Sequence, residues 1–267
     1  MLDLRMAALD ALRLCDPAAK VGAVAQLAVD DGPVDVEREL AEPSGVPGRP
    51  QRPRLVRPGE VAQRSVATPE GRAALLHALA HIEFNAINLA LDITWRFAGL
   101  PQDFYRDWIR VAIEEAGHFS LLRARLAESG IEYGHFPAHD GLWEMAAKTR
   151  TDLTARLALV PRTLEARGLD ASPAVRAKFA SAGDAKSAQI VDIILRDEIG
   201  HVATGNRWFR FVCERLEVDP AQAQTTASAR YAAPVLRGPF NLNARRAAGF
   251  TDEELQALSA TFASGPP

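Results

Sequence analysis

Apolar residues recur every three to four positions over most of this 267-residue chain, the spacing of one buried helical face. Residues 3–29 read as one or two amphipathic helices rich in Ala and Leu. From Thr68 the pattern runs unbroken through "HALAHIEFNAINLALDITWR". Thr68 is placed to cap that helix, Pro69 suits its first turn, and Gly99 and Pro101 end it. A second helix fits 102–129 and stops at Gly130. A short helix is expected in "LWEMAAK". A third fits about 152–167, with Pro161 kinking it and Gly168 ending it. A short helix over 173–182 then precedes a long fourth over about 184–216, with Asp184 as its cap. "TDEEL" opens a final helix capped by Thr251. Residues 42–60, "EPSGVPGRPQRPRLVRPGE", are too rich in proline and glycine for regular structure and read as an extended strap. Almost no alternating pattern appears, so the fold class is all-α.

Composition narrows this picture. The net charge is −3, so no overall basic field favours nucleic acid. The strap does carry Arg49, Arg52, Arg54 and Arg57, expected to pair locally. Two cysteines, Cys15 and Cys213, form no C-x-x-C pair, and a reduced, cytoplasmic setting is the expectation. The N-terminus lacks the pattern of a signal peptide, and no apolar run is expected to span a membrane.

The candidate chemistry lies in a repeat. "EEAGH" at 114–118 and "DEIGH" at 197–201 each place a Glu and a His three residues apart, on one face of a helix. Carboxylate and imidazole at this spacing suit Fe or Mn. A di-metal carboxylate bundle needs a Glu from each of two helices and a Glu-x-x-His from each of the other two. Glu83 supplies one from the first helix, where its same-face neighbours Leu76, Ala80, Ile87 and Ala90 are apolar or small. Glu165 supplies the other from the third. Glu83 and Glu115 stand 32 residues apart and Glu165 and Glu198 stand 33 apart, so the order repeats at nearly one spacing. The expected ligands are Glu83, Glu115, His118, Glu165, Glu198 and His201. Four carboxylates would balance two divalent ions. Glu114 and Asp197 are placed to orient imidazoles of the opposite motif. Gly117 and Gly200 are expected to let helices approach closely.

The remaining side chains have simpler expectations. His77 and His81 lie off the face of Glu83 and are expected to be hydrogen bonders, and His135 and His139 to be solvated. Trp108 and Trp208 belong to the core, and Cys213 is a small buried hydrophobe. Tyr105 is too far from Glu115 to serve it.

These residues resemble the ferritin-like superfamily of di-iron carboxylate four-helix bundles over about 68–216. Through "GRPQRPRLVRP", "HIEFNAINLALD", "EEAGHF", "VPRTLEARGLD", "RDEIGHV" and "NLNARRAAGF", the chain more closely resembles the bacterial family catalogued as domain of unknown function 455. The resemblance implies two antiparallel helix hairpins (68–216), N-terminal helices and strap packed on them (1–67), a tail with a short helix (217–267), and a pair of metal ions, iron or manganese. The expected activity is an O2- or peroxide-dependent oxidation or hydroxylation of a small substrate, with an external electron donor. No rubredoxin-type cysteine motifs supply an internal one. Iron handling or peroxide detoxification is an alternative. A tRNA-modifying hydroxylase is another, in which the strap with Arg237, Arg245 and Arg246 would hold phosphate. RNA is disfavoured by the acidic charge; a homodimer fits the oxidase reading, whereas iron storage would need a shell of many subunits.

Overall fold

The computed structural model describes residues 3–27, 29–30 and 32–263. The described residues are helical throughout, apart from loops and a single parallel bridge between Leu55 and Ala138. The chain divides into two compact units, residues 1–143 and 144–267.

The first unit holds α1 (Leu4–Arg13), α2 (Pro17–Ala25), α3 (Pro69–Arg96) and α4 (Gln102–Glu128). Each start has a chemical cause. Asp3 accepts hydrogen bonds from the Arg5 and Met6 amides, Asp16 from Ala19, and Thr68 from Gly71. Pro17 and Pro69 fill first-turn positions that need no N–H. α3 packs along α4, while α1 lies on α3 and α2 on α4. Leu76, Ala80, Ile87 and Ala90 are all buried, as the apolar stripe of α3 predicts. By length and composition α3 passes for a membrane span, but most of its apolar stretch is buried inside the protein.

The strap is irregular, as its prolines predict, with a 3-10 turn at Pro58–Glu60. Polar bonds tie it down. Lys20 Nζ donates to Gly48 O at 3.0 Å and to Asn88 Oδ1 at 2.5 Å. Arg96 joins buried Asp92 on its own helix to Glu42, and Arg49 grips Asp140 with both terminal nitrogens.

The second unit contains α5 (Gly141–Lys148, begun in the first unit), α6 (Leu153–Leu159), α7 (Ala166–Ser181), α8 (Ala185–Arg215), α9 (Pro220–Arg230), α10 (Leu242–Ala247) and α11 (Asp252–Ala263). Asp184 caps α8, and Thr251 and Glu254 form a reciprocal cap on α11. Pro161 does not merely kink the third helix. It sits in a π-helical turn, Val160–Glu165, that joins α6 to α7. Beside the turn, the Ala158 carbonyl accepts bonds from Thr163 Oγ1 at 2.8 Å and Gln224 Nε2 at 3.4 Å. Nor does the helix stop at Gly168. α7 continues through Pro173 to Ser181, absorbing the separate helix expected at 173–182. Pro173 has no N–H for the carbonyl of Leu169, and Asn241 Nδ2 donates to that oxygen instead, at 3.2 Å. α9 and α10 were not foreseen, although Asp219–Pro220 repeats the start signal of Asp16–Pro17 and Asn241 caps α10.

Candidate metal centre

In the first unit the α3–α4 hairpin brings Glu83, Glu115 and His118 together. All three are at most 3 % exposed. His118 Nδ1 lies 3.2 Å from a Glu115 carboxylate oxygen and 3.4 Å from one of Glu83. Glu83 on α3 and Glu115 on α4 therefore stand at one level of the hairpin. Burial alone would lower the imidazole pKa. The hydrogen bonds and charges of Glu115 and Glu83 outweigh it and raise the value to about 11. The two carboxylates thus hold a positive charge at this point even when it is only a proton.

In the second unit α8 presents Glu198 and His201 one turn apart, both buried, with His201 Nδ1 3.5 Å from Glu198 Oε1. Glu165 closes the π-helical turn and is half-buried. Within the first unit Glu83, Glu115 and His118 each offer a ligand atom, and these atoms lie within 4.8 Å of one another. This buried group can hold a metal ion. The donor set fits one: carboxylate oxygens and an imidazole nitrogen, withdrawn from water, are a costly burial without a cation and a suitable site for Fe or Mn with one.

Glu114 is exposed on α4, and Asp197 is bound in part by its neighbour Arg196 at 2.7 Å. Gly117 and Gly200 are exposed, and a Cβ on either would meet nothing within 4 Å, so they do not serve close helix approach. The close contact is at Gly205, where a Cβ would stand 2.5 Å from that of Pro161. A helical glycine opposite a proline was the available signal. His77 accepts from the Gly134 amide at 2.8 Å, and His81 Nδ1 lies 2.8 Å from the Tyr133 hydroxyl, so both are hydrogen bonders. His135 and His139 are exposed. Trp108, Trp208 and Cys213 are core residues, and the Tyr105 hydroxyl donates to Phe97 O at 2.9 Å. Arg245, considered for phosphate, is 1 % exposed and bound to Asp170 at 2.6 Å, while Arg246 pairs with Asp252.

Residues 13–256 match the family model described as "Protein of unknown function (DUF455)". The chain belongs to this family. All six of the expected ligands fall in the span matched to DUF455. A protein of Haemophilus influenzae, bearing only the name "Uncharacterized protein", is 48 % identical over 224 residues, covering 81 % of this chain and 78 % of that one. No solved structure matches this DUF455 chain.

Proposed function

We propose that the protein is a di-metal carboxylate oxidoreductase of ferritin-like architecture. The α3–α4 hairpin would face a second hairpin made by the π-turn helix and α8. Glu83, Glu115 and His118 from the first, with Glu165, Glu198 and His201 from the second, would hold two ions, iron or manganese. The observation that carries this reading is the buried convergence of Glu83, Glu115 and His118. The doubled Glu-x-x-His in the sequence is what asks for a second ion.

When bound, such a pair supplies redox chemistry toward O2 or peroxide, leading to oxidation or hydroxylation of a small organic substrate. The chain's own residues hold and insulate the site. The carboxylates offset the cationic charge, and the burial of the hairpin keeps bulk water from the ligands. Asp197 and Glu114 would orient the imidazoles. The setting is cytoplasmic, and the reducing electrons come from outside the chain.

The test is optical. Protein loaded anaerobically with Fe(II) is mixed with oxygenated buffer, beside Glu115→Gln and Glu198→Gln. A new charge-transfer band in the wild type, lost in both variants, supports the reading. A spectrum unchanged by O2 refutes it.

A further inference from the structure

The loop after α4 carries a run of ring contacts from the surface to the ligand-bearing hairpin. Exposed His135 meets Phe136 edge-on at 4.7 Å between centroids, and Phe136 meets His77 at 5.6 Å. His77 stacks on Tyr133 at 5.4 Å. Tyr133 lies 5.0 Å from Phe119 and 5.6 Å from Phe84, whose rings are 5.3 Å apart. Phe84 and Phe119 directly follow Glu83 and His118 in the chain.

Cations border the outer end of this run. Arg52, Arg54 and Arg57 are exposed, and among the described residues none of their guanidinium groups is paired with a carboxylate. Their backbone is pinned. Ala138 N donates to Arg54 O at 3.1 Å, and Val56 N to Ala138 O at 2.8 Å. Gly134 approaches so closely that a Cβ on it would lie 2.9 Å from that of Arg52. Arg64 sits over the Phe136 ring at 5.0 Å. Of the nearby acids, Glu60 is engaged by the Arg57 amide at 2.9 Å and Glu132 is exposed. In a chain of net charge −3 this ridge is locally cationic.

We infer that residues 52–57, with His135, form the docking surface for an acidic protein that donates single electrons, and that the ring run beneath is the path those electrons take inward. The inference rests on the di-metal reading, which requires reducing equivalents, and on the lack of any C-x-x-C pair to carry them within the chain. Each transfer oxidises the donor by one electron and reduces a bound metal ion by one. The rings pass the electron without being left oxidised or reduced, and no proton is exchanged at them. A pinned, pre-extended cationic segment gives up little further freedom on docking, and charge complementarity speeds encounter at low salt.

The test uses the full chain and an acidic [2Fe–2S] ferredoxin as probe, with binding measured by surface plasmon resonance at low and physiological salt. The expected result is salt-sensitive binding whose association rate falls about tenfold or more in the R52E/R54E/R57E variant, with R38E unchanged as control. Phe136→Leu should bind the probe normally yet slow reduction of the loaded centre by ferredoxin more than reduction by dithionite. Equal binding by the triple variant, or no binding by the wild type, overturns the inference. So does ridge-dependent binding of total tRNA in place of ferredoxin, which makes the surface one for nucleic acid. Metal content is measured on the same samples. Its absence sinks the di-metal reading, whereas failed docking with metal present sinks only the ridge.

Discussion

The ring of Pro161 occupies the space that a side chain at Gly205 would need, since a Cβ on Gly205 would stand 2.5 Å from the proline's Cβ and 2.9 Å from its Cγ. The π-helical turn and α8 can pack this closely only because residue 205 has no side chain. Neither partner can yield: the proline ring is rigid and both residues are buried. Gly205→Ala is therefore expected to destabilise the protein by about 1–3 kcal/mol, the cost of overpacking. Gly200→Ala, exposed one turn away with open space around it, is expected to stabilise by up to about 1 kcal/mol. Chemical denaturation of the two variants checks the opposite signs.

Asn241 links the tail to α7 by replacing the hydrogen bond that Pro173 cannot make. The same side chain caps α10 through the Ala244 amide at 3.2 Å. Asn241→Ala removes both and is expected to cost about 1–2 kcal/mol. Faster amide exchange in α10 than in α8 would locate the loss. Uniform exchange in the variant would contradict it.

Lys20 gives a pH signature. Burial, aided by the charge of Arg49, lowers its pKa from 10.5 to about 7 in the folded protein. The unfolded chain thus keeps a proton that the folded one has released between these values, so this group's contribution to stability rises with pH from about 7 to 10.5. Below that window both states are protonated and the full penalty of the buried charge remains. Lys20→Met removes this dependence. The stability of wild type minus variant should climb across the window in urea titrations, and a flat difference would contradict the burial argument.

Much of this molecule was legible in the sequence, and the illegible parts have local causes. Thr68, Asp184 and Thr251 each mark a helix start because their side chains must satisfy exposed amides, and they do so in the structure. Glu83 stood out as one charge on an apolar face, and it lies within reach of His118. Gly168 and Pro173 misled because helix breakers act through missing bonds, and Asn241, some 70 residues further on, supplies one. Gly117 and Gly200 misled in another way. Glycine between two ligands on a helix faces away from them, and so faces solvent. Lys20 on Asn88 and the rings around Tyr133 have no periodic signal, because they depend on how the strap and the loop after α4 fold back over α3.

Replacing one ligand should separate metal binding from folding. Glu115→Gln keeps the shape of the side chain while removing a charge from the buried group. Without added metal its melting temperature is expected to fall somewhat, since Glu115 is the stronger of the two partners that hold the protonated His118. Added Fe(II) or Mn(II) should raise the wild-type melting temperature and leave the variant's unchanged. Thermal scans with and without metal distinguish this from a purely structural role, in which added metal shifts the wild type and the variant equally or not at all.

The central claim is most directly tested by elemental analysis of protein purified without oxygen from iron- and manganese-replete cells. The account predicts about two metal ions per chain in the wild type, falling toward zero when Glu83, Glu115 and His118 are replaced together. Metal-free wild-type protein under these conditions would contradict it.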